Sequence, residues 1–293
     1  MGDFMAIVTK GSGGSVKFTG TGGGIRVSSP GGGGGGGGSP PMTMLGAWFR
    51  ADDAGSSNGA AVNSWADRSA SGDVLTVPGG FAAPVQPPTY LSSVAAFNNQ
   101  PAVSFVSSGP SGYPSGYAYG SYLAMTSPAA YLSGDSALTI YAVISIDNYV
   151  GDPKRIFTYG TLGTYQQQSM ISLFLADQWG TKRLGLETGY ASNLYDYSID
   201  STARIVELRI SQGGTVGSAF QALNGATQTA TGWPALNNES AVPAIPSPVD
   251  KVTMGNGVFD GKIAEIIYYK KEHSSEERAA TLSYLSSRYG ISV

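Results

Sequence analysis

Any chemistry in this chain has to begin with its carboxylates. The seven glutamates are Glu187, Glu207, Glu239, Glu265, Glu272, Glu276 and Glu277. Sugar hydrolysis needs two acids facing one cleft, about 5–5.5 Å apart when configuration is retained. Side chains alternate faces along a strand, so such acids recur at even spacing, and no glutamate here belongs to a Glu-x-Asp-x-x-Glu run. Glu265 alone lies on a strong strand pattern, with no acid two residues to either side. The chain is therefore expected not to be an enzyme. The single histidine, His273, stands among charged residues just ahead of a helix pattern and is expected to be a solvated surface group. Alone it cannot build a multi-histidine metal site. No His-Glu-x-x-His or Gly-x-Ser-x-Gly motif is present, and the run Gly31–Gly38 leads into Pro40 and Pro41 rather than the Lys-Ser/Thr and helix of a phosphate-cradling loop.

Aromatic residues are the other candidates. Tyr113, Tyr117, Tyr119 and Tyr122 punctuate a Gly/Ser/Pro-rich stretch from Gly109, and Tyr190, Tyr195 and Tyr197 cluster in another. Trp179 and Trp233 stand beside turn-prone residues. Such Tyr/Ser/Gly surfaces make rigid, adaptable contacts with sugars or proteins. The alternative is that these rings pin long loops to the body of the fold. The candidate ligand-binding set is Tyr113, Tyr117, Tyr119, Tyr122, Trp179, Tyr190, Tyr195 and Trp233, whereas Trp48 and Trp65 read as core or turn-packing residues.

Strands position nearly all of these groups. Short strand-like runs with Gly, Pro and Asn between them recur at Leu45–Ala51, Ala102–Val106, Leu138–Ile146, Arg155–Tyr159, Met170–Leu175, Arg183–Glu187, Arg204–Ser211, Ser218–Leu223, Val249–Met254 and Lys262–Tyr269. In the stretch from Arg204, Val206, Leu208 and Ile210 are expected to face a core, and Ile205, Glu207 and Arg209 to face water. Val252 to Tyr269 reads as a closing β-hairpin with its turn at Asp260-Gly261. Only the end is helical: Ser274 and Glu277 form a capping box, Arg278, Leu282, Leu285 and Tyr289 recur at helical spacing, and Gly290 stops the helix. Its apolar stripe is expected to clasp the sandwich.

Of 42 glycines in 293 residues, 16 fall in residues 1–41. That segment reads as a Gly-rich arm preceding a sandwich over residues 42–293. Its polyglycine has two readings, a flexible linker or a place where backbones approach closely because Cβ atoms are missing. Charged residues make up 13%, the net charge is −3 and cysteine is absent. These values exclude a basic nucleic-acid field and any disulfide framework or thiolate metal cluster. There is no signal peptide pattern at the start, and no run approaches the roughly 20 apolar residues of a membrane helix.

The combination of Trp48-Phe-Arg-Ala-Asp52, Trp65-Ala-Asp-Arg-Ser69, Asn99-Gln-Pro-Ala-Val-Ser-Phe105, Leu223-Asn-Gly225 and Gly261-Lys-Ile-Ala-Glu-Ile266, followed by Ser-x-x-Glu-Arg and Tyr289-Gly-Ile291, resembles the laminin-G-like, concanavalin A-like jelly rolls of bacterial and phage surface proteins. Gln100 stands where that pattern usually has Gly. The resemblance spans about Leu45 to Ile291 and implies an all-β, two-sheet antiparallel jelly-roll sandwich. It also implies that Ca²⁺ could sit at the rim, for which Asp52, Asp53, Asp67, Asn256 and Asp260 are the oxygen-bearing candidates; in the competing reading Asp67 and Asp260 cap turns. No other cofactor is implied. Together with the arm and the missing export signal, the resemblance points to a bacteriophage virion protein: a tail-fibre, baseplate or head-decoration component assembled in the host cytoplasm. Such a protein would be a homo-oligomer, dock to other virion subunits through residues 1–41, and bind carbohydrate on a host surface. The alternative is a stand-alone bacterial lectin-like binding module.

Overall fold

The computed structural model describes residues 38–69, 71–79, 86–107, 120–126, 137–148, 154–160, 170–178, 181–188, 191–196, 200–229, 251–255 and 259–293. They form two antiparallel eight-stranded sheets and one C-terminal helix. The sequence-based boundary at residue 41 falls just inside the described region, while residues 1–37 of the arm lie outside it.

Sheet A contains β1 (Leu45–Arg50), β4 (Thr89–Val94), β5 (Gln100–Phe105), β7 (Leu138–Asn148), β12 (Arg204–Ile210), β13 (Phe220–Leu223), β14 (Ala226–Thr227) and β16 (Asp260–Tyr269). Its order is β14-β13-β12-β7-β16-β5-β4, with β1 also paired to β16. Sheet B runs β11 (Ala191–Asp196), β10 (Thr181–Thr188), β9 (Met170–Gln178), β8 (Lys154–Gly160), β15 (Lys251–Met254), β6 (Leu123–Thr126), β3 (Val74–Thr76) and β2 (Ser64–Ala66). The helix α1 spans Ser275–Tyr289.

Two cores result. Between the sheets lie Phe49, Trp65, Phe105, Ile140, Ile144, Phe157, Leu173, Leu184, Val206, Leu208, Met254, Ile266 and Tyr268. Between the outer face of sheet A and α1 lie Trp48, Phe97, Tyr141, Val143, Ile205, Ile267, Tyr269, Leu282, Leu285 and Tyr289. Strand β7 is central and covered on both sides, so Leu138 through Ile146 are all buried. A strand with two dry faces reads as a continuous apolar run rather than an alternating one.

The second core corrects the expected wet face of β12. Val206, Leu208 and Ile210 do face the inter-sheet core, but Ile205 and Glu207 are buried on the opposite side. The closing hairpin is also corrected. Strand β15 pairs with β6 and β8 in sheet B, whereas β16 pairs with β1, β5 and β7 in sheet A, so the chain crosses between sheets. Asp260 and Gly261 accordingly belong to β16 itself. A Cβ on Gly261 would collide with the Ser145 carbonyl oxygen and the Phe259 ring, which explains a glycine inside a strand.

A β-bulge resets the side-chain period within β16. Ile263 opposes Ile144 and Glu265 opposes Val143, leaving Ala264 as the extra residue. Ile263, Ile266 and Tyr268 therefore share the inner face, while Ala264, Ile267 and Tyr269 share the helix face with Glu265. Plain alternation along β16 would have set Ile263 beside Glu265.

The helix ends follow the sequence closely. Ser274 accepts from the Glu277 backbone N–H at 3.3 Å while Glu277 Oε2 accepts from the Ser274 N–H at 3.1 Å, and Gly290 closes the helix at φ 66°. Likewise Asn224 and Gly225, with φ of 48° and 77°, form the two-residue turn joining β13 to β14.

Candidate functional site

Three polar constellations are built into the described region, and each is tied to an element that positions it. The first centres on Glu265. Its carboxylate lies beneath α1, where Tyr284 donates to Oε1 at 2.9 Å, Tyr289 donates to Oε2 at 2.7 Å, and the Trp48 indole N–H of β1 also donates to Oε1. Arg288 Nε stands 4.0 Å away and its other end holds Asp52 at 2.6 Å. Burial raises the Glu265 pKa, and the bonds from Tyr289, Trp48 and Tyr284 oppose that rise.

Glu207 anchors the second. Arg278 Nε reaches its two oxygens at 3.0 and 2.8 Å, Arg209 Nε stands 3.1 Å away, and Arg278 also donates to the Gly225 carbonyl at 2.6 Å. Burial raises this carboxyl's pKa too, with Arg278 acting against it. Beside it lies His273, which is buried rather than solvated as expected. Its ring packs on Tyr269 at a centroid distance of 4.0 Å, and Nδ1 is 3.2 Å from the Tyr141 hydroxyl.

Asp67 organises the third. Oδ1 accepts from the backbone N–H groups of Trp48 at 2.8 Å and Ser69 at 2.7 Å, and Oδ2 accepts from the hydroxyls of Ser69 and Ser71. With Arg68 N donating to the Trp48 carbonyl at 2.7 Å, this turn closes the outer edge of β1. Asp52 pairs with Arg50 and Arg288, and Asp53 with Arg68. The carboxylates of Asp52, Asp53 and Asp67 are thus engaged by donors of this chain. Asn256 lies outside the described residues. Asp260 sits in β16, and among the described residues no group of three or more His, Cys, Asp or Glu gathers as metal ligands do.

Glu207 and Glu265 are not neighbours in the sheet. Glu207 opposes Tyr141 and Glu265 opposes Val143, so β7 separates them. Two strand spacings and two residues of offset place their Cα atoms roughly 12 Å apart, and both are roofed by α1. The sequence signal for this arrangement was Glu265 itself: an acid inside an Ile-Ala-Glu-Ile-Ile stretch must find donors. Nothing local names Trp48, Tyr284 and Tyr289 as the ones that answer it.

The aromatic candidates divide sharply. Tyr122 and Tyr195 are each 2% exposed, so both are core residues and not contact residues. Burial drives the Tyr122 phenol pKa upward. Tyr195 belongs to β11, whose pairing with β10 turns its ring into the inter-sheet core. Tyr113, Tyr117, Tyr119, Trp179, Tyr190 and Trp233, as well as Tyr197, lie outside the described residues.

No protein-family pattern and no curated protein matches the chain. Solved structures do share its architecture. An arabinofuranosidase complexed with arabinofuranosyl-α-1,2-xylobiose superposes with a TM-score of 0.52 at 15% identity, over 78% of this chain and 51% of that one. The binding domain of Paraclostridial Mosquitocidal Protein 1 gives 0.50 at 9% identity, over 83% and 52%. Trypanosoma rangeli sialidase gives 0.45 at 13% identity, over 84% and 33%. The chain spans about half the length of the first two and a third of the sialidase, and the likeness is one of fold.

Proposed function

We propose that this protein is a non-catalytic carbohydrate-recognition module, displayed on a virion by its Gly-rich N-terminal segment. The observation that carries this reading is the two-sheet fold shared with a sugar-complexed arabinofuranosidase and with the binding domain of a mosquitocidal protein. Aromatic rings offer flat apolar faces to pyranose rings without requiring an acid pair, and the sequence offers Tyr113, Tyr117, Tyr119, Trp179, Tyr190 and Trp233 as candidates. The engagement of Glu207 and Glu265 with side chains of α1 lends support.

Glycan screening of the full chain tests the reading directly. Joint replacement of Tyr113, Tyr117, Tyr119, Trp179, Tyr190 and Trp233 by Ala is expected to abolish binding. Binding that survives this replacement, or release of sugar from a polysaccharide panel, overturns it. Display is tested separately by light scattering and negative-stain electron microscopy of the full chain beside one beginning at Met42. A symmetric oligomer or filament formed only by the full chain is expected. Equally monomeric samples would favour a stand-alone binding module.

A further inference from the structure

Buried charge is distributed very unevenly in this fold. Besides tyrosines, the buried ionisable side chains among the described residues are Asp67, Glu207, Glu265, His273 and Arg288. All except Asp67 occupy the layer between sheet A and α1. The inter-sheet core contains none of them.

His273 is the member of that layer with no charge partner. It immediately precedes the N-cap Ser274, so its ring sits at the positive end of the helix. It is 3% exposed, and its backbone is held on both sides: its N–H donates to Thr139 Oγ1 at 3.0 Å and its carbonyl accepts from Arg209 at 3.2 Å. Nδ1 meets the Tyr141 hydroxyl, while Nε2 has no hydrogen-bond partner. Around it stand Arg209 and Glu207 from β12, Lys271 and Glu272 from the preceding turn, and Glu277 from α1, with uncharged Tyr141 from β7 and Tyr269 from β16. The nearby carboxylates are already engaged: Glu277 by Lys271, Glu272 by Ser211 and Glu207 by Arg278 and Arg209. An imidazolium here would carry a second N–H with nowhere to donate it.

We propose that His273 makes the docking of α1 acid-sensitive: the neutral ring fits the closed layer, and protonation of the ring favours a form in which the first turn of α1 has lifted from sheet A. The proton comes from solvent and no bond other than N–H forms.

Burial is the main reason the His273 pKa falls to about 4 from its ordinary 6.5; Glu277 pulls it upward, and Lys271 and Arg209 push it further down. The lifted form therefore binds more protons than the closed form below pH 6.5, and the closed layer loses stability as pH falls from 6.5 towards 4. The population of the lifted form should rise about 30-fold between pH 8 and pH 5 from this group alone. Glu207 and Glu265 have raised pKa values, so their protonation favours the closed form and works in the opposite direction.

Because the chain has 1 histidine, its imidazole C–H resonance can be titrated by NMR in the unmodified full chain. A midpoint near 4 is expected, and one near 6.5 would overturn the proposal. Hydrogen exchange of the amides of residues 278–281, corrected for intrinsic rates, should open about 30-fold more at pH 5 in wild type than in His273→Phe, relative to pH 8. Amides of β7 and β12 should show no such difference. Equal pH dependence in the two proteins would also sink the idea, and the titration decides the matter even where the variant does not fold.

Discussion

Tyr289, in the last turn of α1, donates its hydroxyl to Glu265 Oε2 of β16 at 2.7 Å. This bond ties the end of the chain to the middle of sheet A. With Tyr284 and Trp48 it turns an otherwise prohibitive buried carboxylate into a docking point for the helix. The residue with most claim to catalysis on sequence grounds is thus the one that holds the fold's third layer in place.

Replacing Glu265 with Gln should destabilise the protein by about 2–4 kcal/mol, since an amide NH₂ would face Trp48, Tyr284 or Tyr289 donors with nothing to accept from them. Urea unfolding at neutral pH measures this. The sign with pH is also set. A carboxyl with a raised pKa contributes stability that is full below its ordinary value near 4.5 and is lost as pH rises through the raised value. Comparing wild type with Glu265→Gln should show that slope in wild type only.

Arg278→Met should cost about 1–3 kcal/mol, because Glu207 keeps Arg209 but loses its two-oxygen contact and Gly225 loses its donor. The double substitution Glu207→Leu with Arg278→Met should recover most of that loss, as apolar replacements of buried ion pairs commonly do. A double-mutant cycle by thermal unfolding checks the coupling.

Gly261→Ala should destabilise by about 1–3 kcal/mol through the clash with the Ser145 carbonyl and Phe259. Gly59, which unlike Gly261 has open space for a Cβ but sits at φ 80°, is a useful control: Gly59→Ala should lose only the backbone cost of about 1 kcal/mol. Chemical denaturation of both variants separates packing from conformation.

Tyr122→Ala should lower stability by about 3–5 kcal/mol, as expected of a buried aromatic ring. Tyr122→Phe and Tyr195→Phe should leave glycan binding unchanged, in contrast to the joint Ala replacement of the other aromatic candidates. A binding loss in either Phe variant would return these core tyrosines to the recognition surface.

The β-sandwich class, the positions of most long strands and both caps of α1 are legible in the sequence because each depends on neighbours in the chain. Alternation, turn residues and the Ser274/Glu277 box act over a few residues. The short strands β2, β3, β6 and β14 carry too few residues to establish a period, and the β4 sequence Thr-Tyr-Leu-Ser-Ser-Val does not alternate. Tertiary structure alone decided the rest. The bulge at Ala264 moved Glu265 relative to Ile263, the crossover put β15 and β16 in different sheets, and α1 covered a face of β12 that looks wet when read alone. It also decided which aromatic and ionisable residues are buried: Tyr122, Tyr195 and His273 went inside. Burial is set by what packs across from a residue, and for His273 those partners, Tyr141 and Tyr269, come from two different strands of sheet A.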